Sequence, residues 1–367
     1  MIESPRPAER LPNLPLTMQA IAAYTFEDIR LETRPVPEPG AGEALIRVTA
    51  SGLCTGDMTP WYINQKAAKS GGSVVLGHEA VGEIVALGPN APASFNLGDR
   101  IVPHHHAPCM QPSCPACRRG AYVQCPAWKA TGFIPGGMAD YMVVDANCLR
   151  HDTQHIPATV SNAAAALTEP TACCVKAVTK RAHLVPNGTL VLIGLGVMGM
   201  LNLRVARAVH RGRIVAIDRI PWRLDQAARR GADVTIDASS VDAVQAVRDL
   251  TDGMGAESVI CGPGIIPVMQ QALEMVAPQG TVCYFMTVDR HTEMSIRPFD
   301  WYFRELTVTH AYSAGPDDMQ HALTLIEQGA VSPDDVVTEW VALPELPAAY
   351  RRAASPGEHL KTMVTWA

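Results

Sequence analysis

The feature that most constrains this chain is a regular alternation of strand-like and helix-like segments beginning near Asn162. Apolar runs at 189–194 (TLVLIG), 213–218 (RIVAID), 234–237 (VTID), 257–261 (ESVIC) and 281–286 (TVCYFM) are separated by helical patterns over 198–210, 222–230, 241–250 and 267–276. Strands joined by helical crossovers lie parallel in one sheet, with helices covering both faces. The fold class is therefore α/β, with a doubly wound parallel sheet over 162–304. TVCYFM, the last strand of the series, is the expected edge of the sheet and so the place where another copy could pair.

The remainder reads differently. From 18 to 161 the chain offers short strands broken by Gly and Pro, among them ALIRV (44–48), EAVGEIVAL (79–87) and GDRIVP (98–103). This predicts a mostly antiparallel β domain, to which residues 305–367 return. Residues 1–17, rich in proline and charge, read as a loose extension. The stretch 184–203 carries no charge, but it holds Pro186, Asn187, Asn202 and four glycines, so a buried strand, turn and helix fit better than a membrane span. The first residues lack the basic start and apolar run of a signal peptide, and the expected location is cytoplasmic. A net charge of −6 gives no reason to expect nucleic acid or an anionic membrane as partner.

Gly194, Gly196 and Gly199 form G-x-G-x-x-G directly after a strand and at the opening of a helix. The first glycine permits the tight turn, the second lets backbone approach a pyrophosphate, and the third lets helix and strand pack closely. Amides at Val197 and Met198 then face the anion at the helix N-terminus. Asp218 ends the next strand, where a carboxylate binds ribose hydroxyls and repels a 2′-phosphate, so NAD is expected over NADP. Arg219 and Arg223 lie close enough to soften that choice.

Three further segments offer metal ligands: Cys54 in SGLCTGD, His78 and Glu79 in GHEAVG, and Glu169 in TEPTA. Thiolate, imidazole and carboxylate suit zinc, and a catalytic site leaves one position for water or substrate. Taken singly, each has a plainer reading: a buried small thiol, a satisfied core histidine, a solvated acid.

Gly77-His78-Glu79-Ala80-Val81-Gly82 resembles the G-H-E-x-x-G signature of the zinc-containing medium-chain dehydrogenases, and the resemblance runs from about Met18 to the C-terminus. It implies a GroES-like catalytic domain beside a Rossmann domain, and a zinc-dependent NAD(P) alcohol dehydrogenase acting on a small alcohol or carbonyl compound. Cys54 and His78 match the catalytic zinc ligands. Glu79 matches a residue that ligates in some members and stands off in others. Asp57 matches the acid that orients the histidine. Glu169 stands where simple alcohol dehydrogenases carry cysteine, which is similar to the polyol, sorbitol and threonine dehydrogenase branch. One departure is Gly56, where the family often has the hydroxyl that starts a proton relay. Thr55 is adjacent, and is kept as a catalytic candidate.

Cys109, Cys114, Cys117 and Cys125 crowd one stretch within the lobe 104–126. In a chain without an export signal, such a cluster predicts metal binding more readily than disulfides. Their spacing resembles the family's structural zinc lobe, with a first interval two residues longer. Two zinc ions per chain are therefore expected. His104, His105 and His106 precede the lobe and read as a polar strand end, with binding of a stray metal ion or lining of the substrate cleft as the alternatives. Trp61 and Tyr62 are candidates to shape the pocket, and Cys173 or Cys174 to lie near the nicotinamide. Rival readings are a zinc-free quinone or enone reductase, an NADPH-dependent ketone or aldehyde reductase, and a non-catalytic binding protein on the same scaffold.

Overall fold

The structure is a computed structural model that describes residues 6–354 and 357–366, apart from the side chains of Thr55 and Met58. The chain divides into two compact units. One runs up to Glu169 and takes in Ala314–Glu327 and the chain from Ser332. The other comprises Pro170–Ser313 and Gln328–Val331.

The second unit is a six-stranded parallel sheet in the order Val234–Asp237, Ile214–Asp218, Leu190–Ile193, Ala256–Cys261, Val276–Tyr284, Thr307–His310. Val191, Ile193, Val215, Ile217, Val259 and Val282 point into one apolar core. Truncating one such side chain to alanine costs about 2–5 kcal/mol. Helices Val197–Val209, Pro221–Arg229, Ala243–Leu250 and Ile266–Met275 fall within two residues of the sequence expectation. Proline in the first turn opens two of them, and Asp242 caps a third by accepting from the amides of Val244 and Gln245.

In the first unit, strand Ala44–Gly52 lies between antiparallel neighbours Glu79–Leu87 and Lys361–Thr365, and Arg100–Pro103 and Thr153–His155 extend the sheet. Thr17–Ala23, Ile29–Pro35 and Val74–Val75 form a smaller sheet. Two registers shape the pocket of this unit. Gly52 stands opposite Glu79, and Met363 stands opposite Gly52.

Three expectations need correction. Residues 1–17 are not all loose: Glu9 and Arg10 pair with Leu87 and Ala86, and Leu11 and Leu14 pack on Leu45, Val85, Ala86 and Val143. TVCYFM is not the sheet edge, because Thr307–His310 adds a sixth parallel strand outside it. For the same reason the chain leaves the parallel-sheet unit at Ser313 rather than near 304; it enters at Pro170 rather than at Asn162, because the short helix Asn162–Ala165 falls in the first unit. Among the described residues no helix is long and apolar enough to cross a membrane.

Candidate active site

The strand register builds the pocket. Antiparallel pairing sets the end of Ala44–Gly52 against the start of Glu79–Leu87, so Cys54, two residues past one strand, meets His78, one residue before the other. Ligand atoms of Cys54, His78 and Glu79 lie within 4.8 Å of one another. The glycines of the GHEAVG segment serve this meeting. Gly77 has φ +96° and lies against Met138, and a Cβ on Gly82 would strike the Arg47 carbonyl at 2.1 Å. Cys54 caps the short helix Thr55–Met58 by accepting from the Gly56 amide at 3.3 Å. Thr55 sits in that turn, and its side chain lies outside the described part.

Asp57, on the same turn, accepts from His78 Nδ1 at 3.1 Å, which fixes the ring and leaves Nε2 as the nitrogen for a metal. Burial works against charging His78, but the Asp57 carboxylate and the Cys54 thiol outweigh it and hold its pKa well above the usual histidine value. Burial pushes the Cys54 thiol up, against the pull of His78. Glu79 is paired with Lys361, both side chains being 1% exposed, and Lys361 also donates to the Leu53 carbonyl. A Cβ on Gly52 would fall 2.0 Å from Glu79 Oε2, so that glycine makes room for the pair.

Glu169 opens the helix Thr168–Lys176 and is buried. Burial raises its pKa above the ordinary glutamate value, with His78 opposing and the charge of Glu79 adding to the rise. Its Oε1 is 4.0 Å from His104 Nε2 and 3.9 Å from His105 Nδ1. His104, His105 and His106 do follow the end of the strand Arg100–Pro103, but the first two turn toward buried Glu169. His104 is fully buried, bonded through Nδ1 to Asp152 at 2.7 Å and edge-on to Trp128. The His105 ring is 4.8 Å from that of His78. Burial first, and the neighbouring imidazoles second, lower the His105 pKa well below the usual value. His106 turns away, bonding to the Thr131 carbonyl. Asp57 Oδ2, His104 Nε2 and His105 Nδ1 are buried without hydrogen-bond partners. Such atoms are rare unless a ligand or ion meets them.

In the lobe, Cys114 and Cys117 bracket the turn Pro115–Arg118, and Cys125 ends the turn Tyr122–Gln124. The four sulfurs lie within 4.8 Å of one another, with Cys109–Cys117 at 3.8 Å and Cys114–Cys125 at 3.9 Å. Zinc–sulfur bonds of about 2.3 Å in a tetrahedron require an edge of about 3.8 Å, so the spacing fits a four-thiolate zinc site. The longer first interval is absorbed by an exposed bend, where Met110 takes φ +48°. The Cys117 amide brings the Cys114 thiol down to about 7, and burial pushes Cys117 up to about 12.

In the other unit, Gly194 has φ +84°, and a Cβ on Gly199 would lie 2.0 Å from the Gly194 carbonyl. A Cβ on Gly196 would meet nothing nearer than Arg223 Nη1 at 3.9 Å, so that side of the turn is open. Helix Val197–Val209, with Met198 in its first turn, has no side chain capping its first amides. Asp218 Oδ2 accepts from Leu195 N at 2.6 Å, and Oδ1 accepts from the amides of Arg219 and Ile220. This leaves lone pairs for a ribose. Arg223 Nη1 stands 4.0 Å from Asp218, while Arg219 is exposed. Open backbone, unfilled amides and a nearby acid fit a dinucleotide.

Residues 40–154 match the alcohol dehydrogenase GroES-like domain, and residues 194–328 match the zinc-binding dehydrogenase domain. The chain is 34% identical over 363 residues to the erythritol/L-threitol dehydrogenase of Mycolicibacterium smegmatis, covering 95% of this chain and 97% of that one. The chain belongs to the zinc-binding alcohol dehydrogenase family. This dehydrogenase is also 30% identical to a sorbitol dehydrogenase of Halalkalibacterium halodurans, over 91% of its own length and 95% of the relative's. Alcohol dehydrogenase TADH from Thermus sp. ATN1 superposes with a TM-score of 0.83 at 26% identity, covering 95% of this chain and 99% of that one. A zinc-binding dehydrogenase of Sinorhizobium meliloti solved with NADP bound gives the same values. The family and domain composition make this dehydrogenase an oxidoreductase, with a GroES-like domain and a Rossmann domain.

Sequence reasoning missed two features of the dehydrogenase's pocket. Lys361 opens an ordinary-looking strand, KTMVT, and nothing local marks it as the partner of Glu79. The His104–Asp152 pair joins residues 48 apart across the Arg100–Pro103 and Thr153–His155 strand pairing, which no local pattern announces. Of the weaker candidates, Trp61 is exposed and Tyr62 carries Lys66 over its ring. Cys174 packs on the Met198 carbonyl.

Proposed function

We propose that this dehydrogenase oxidises a secondary hydroxyl of a polyol, or reduces the corresponding ketone, with zinc in the Cys54 pocket and NAD at the 194–199 turn. The observation that carries the reading is the convergence of Cys54, His78 and Glu79 within 4.8 Å. Cys54 and His78 would hold the ion, with Glu79 or Glu169 as the acid that completes the set. Glu79 is the acid that the fold sets beside Cys54 and His78, with Lys361 as its counter-charge, and Glu169 is the acid that the family resemblance favours. Asp57 fixes the His78 ring. Cys109, Cys114, Cys117 and Cys125 hold a second, structural zinc. When bound, the catalytic zinc acts as a Lewis acid on the substrate oxygen and the dinucleotide accepts the hydride.

Gly56 supplies no hydroxyl for a proton relay, and Thr55 is the candidate for that first step. The relatives named for erythritol and L-threitol, sorbitol and D-xylulose support a polyol substrate. Gly194, Gly196, Val197, Met198 and Gly199 cradle the pyrophosphate, and Asp218 takes the ribose hydroxyls. Arg223, beside Asp218 and Gly196, favours a second reading: a ketone or aldehyde reductase that uses NADPH. The protein works in the cytoplasm as a homodimer or homotetramer, with the edge strand Thr307–His310 available for pairing.

The test is a panel of polyols, sugars, amino alcohols and simple secondary alcohols read as NADH absorbance, with kcat/KM compared for NAD and NADP. A polyol among the best substrates and preference for NAD are expected. Preference for NADP would refute the role given to Asp218, and activity confined to simple alcohols would refute the role given to Glu169.

A further inference from the structure

The Cys54 pocket has a counterpart built on the same plan. In the first, an acid holds Nδ1 of a histidine: Asp57 and His78 at 3.1 Å. In the second, Asp152 holds Nδ1 of His104 at 2.7 Å, with both side chains fully buried. A carboxylate on one imidazole nitrogen fixes the tautomer and leaves the other nitrogen as a lone-pair donor, the arrangement that metal-binding histidines use. His104 Nε2 is that other nitrogen. It is buried without a hydrogen-bond partner, and so is His105 Nδ1. Both face Glu169 Oε1, at 4.0 and 3.9 Å, and the three ligand atoms lie within 4.8 Å of one another.

We propose that His104, His105 and Glu169 form a second divalent-cation site beside the Cys54 pocket, distinct from both the Cys54 ion and the cysteine lobe. Two imidazoles and one carboxylate suit a borderline metal such as Zn²⁺ or Fe²⁺, and three protein ligands leave positions open to water or a substrate oxygen. Bonds of about 2.0–2.2 Å need ligand edges of roughly 3.3–3.6 Å, so the two edges from Glu169, at 4.0 and 3.9 Å, shorten on binding. Trp128, edge-on to His104, and Asp152 hold one ligand rigid, while His105, less buried, has room to adjust. If Glu169 also ligates the Cys54 ion, its carboxylate bridges the two, and neighbouring hydroxyls of a polyol can reach one cation each. The site's existence does not depend on the substrate reading.

The experiment titrates the purified holoenzyme with Zn²⁺, following heat and metal content per chain, and repeats the titration with Co²⁺ to read the visible spectrum. Wild type is expected to take up one further equivalent beyond the metal it already holds, and the added Co²⁺ should lack a thiolate charge-transfer band. His105→Gln and His104→Gln should each weaken that uptake at least tenfold while retaining the lobe and Cys54 metal. His105→Gln guards against a folding defect at the more buried His104. No further equivalent in wild type, or equal uptake by the variants, overturns the proposal. So does loss of the Cys54-dependent ion in His105→Gln, which would give the imidazole to that ion. Cys54→Ser, by contrast, should still take up the added equivalent. If wild type shows polyol oxidation but no added equivalent, this site fails and the functional reading stands.

Discussion

The candidate dinucleotide turn and the candidate metal pocket are assembled in opposite ways. The turn is contiguous: Gly194, Gly196, Gly199 and Asp218 lie within 24 residues and share one strand–helix–strand unit. The pocket draws Cys54, His78, Glu169 and Lys361 from four places across more than 300 residues, and two strand registers bring most of them together. The first site is set by local backbone conformation, and the second by long-range pairing with a buried ion pair at its back. They should therefore fail differently. Damage to the turn should weaken one ligand, whereas damage to the pocket should remove the chemistry or the fold.

The largest effect is expected at the ligands. Cys54→Ser and His78→Ala should each lose the catalytic ion and lower kcat by several orders of magnitude, with NAD affinity unchanged when read by nucleotide fluorescence. A parallel loss of NAD binding would break the distinction between the sites. Next is Lys361→Met, which leaves the Glu79 charge buried without its partner. Removing one member of a buried pair costs about 3–5 kcal/mol, to be seen as a fall in Tm. A variant as stable as wild type would mean that Glu79 finds another cation, and measuring it with and without added zinc shows whether that cation is the metal.

Much of this contrast is legible in the sequence, and the reasons are physical. The parallel sheet announces itself because buried strands are continuous apolar runs and the glycines sit at fixed offsets. The sixth strand, TVTH at Thr307–His310, does not, because it is short, half-buried and polar. Cys54, His78 and Glu79 are legible as types, and through resemblance as a set, but their meeting follows from register, which sequence does not state. His104 looks like a polar strand end because its partner, Asp152, lies beyond the whole cysteine lobe. The pairing of Glu9 and Arg10 leaves no mark because two residues carry no periodicity.

Smaller effects sharpen the comparison. Asp57→Asn removes the charge that orients His78 and should weaken zinc at the Cys54 site by about 10- to 100-fold, measured by chelator competition. pH tests the same contact. Because Asp57 and Cys54 hold the His78 proton above its usual range, protons compete with the metal already at mildly acidic pH. The sign is fixed: affinity is lost as pH falls, and dialysis at about pH 6 should release the Cys54-site ion faster than at about pH 8. Equal retention at both would contradict the assignment. The smallest effect is expected for Gly56→Ser. A Cβ there would sit 3.5 Å from Cys54 Sγ and 3.9 Å from His78, ordinary contact distances, so the variant should fold with Tm nearly unchanged and metal retained. Any gain in kcat would show that the missing hydroxyl limits proton transfer.

A metal held beside Cys54 and His78 is what makes this chain a polyol dehydrogenase in the reading proposed above. The most direct measurement strips the protein with a chelator, assays NAD reduction with the best polyol of the panel, and then restores Zn²⁺. Activity should disappear with the Cys54-site ion while NAD still binds, and it should return as zinc is added back. Full activity in protein shown to be metal-free would contradict that reading.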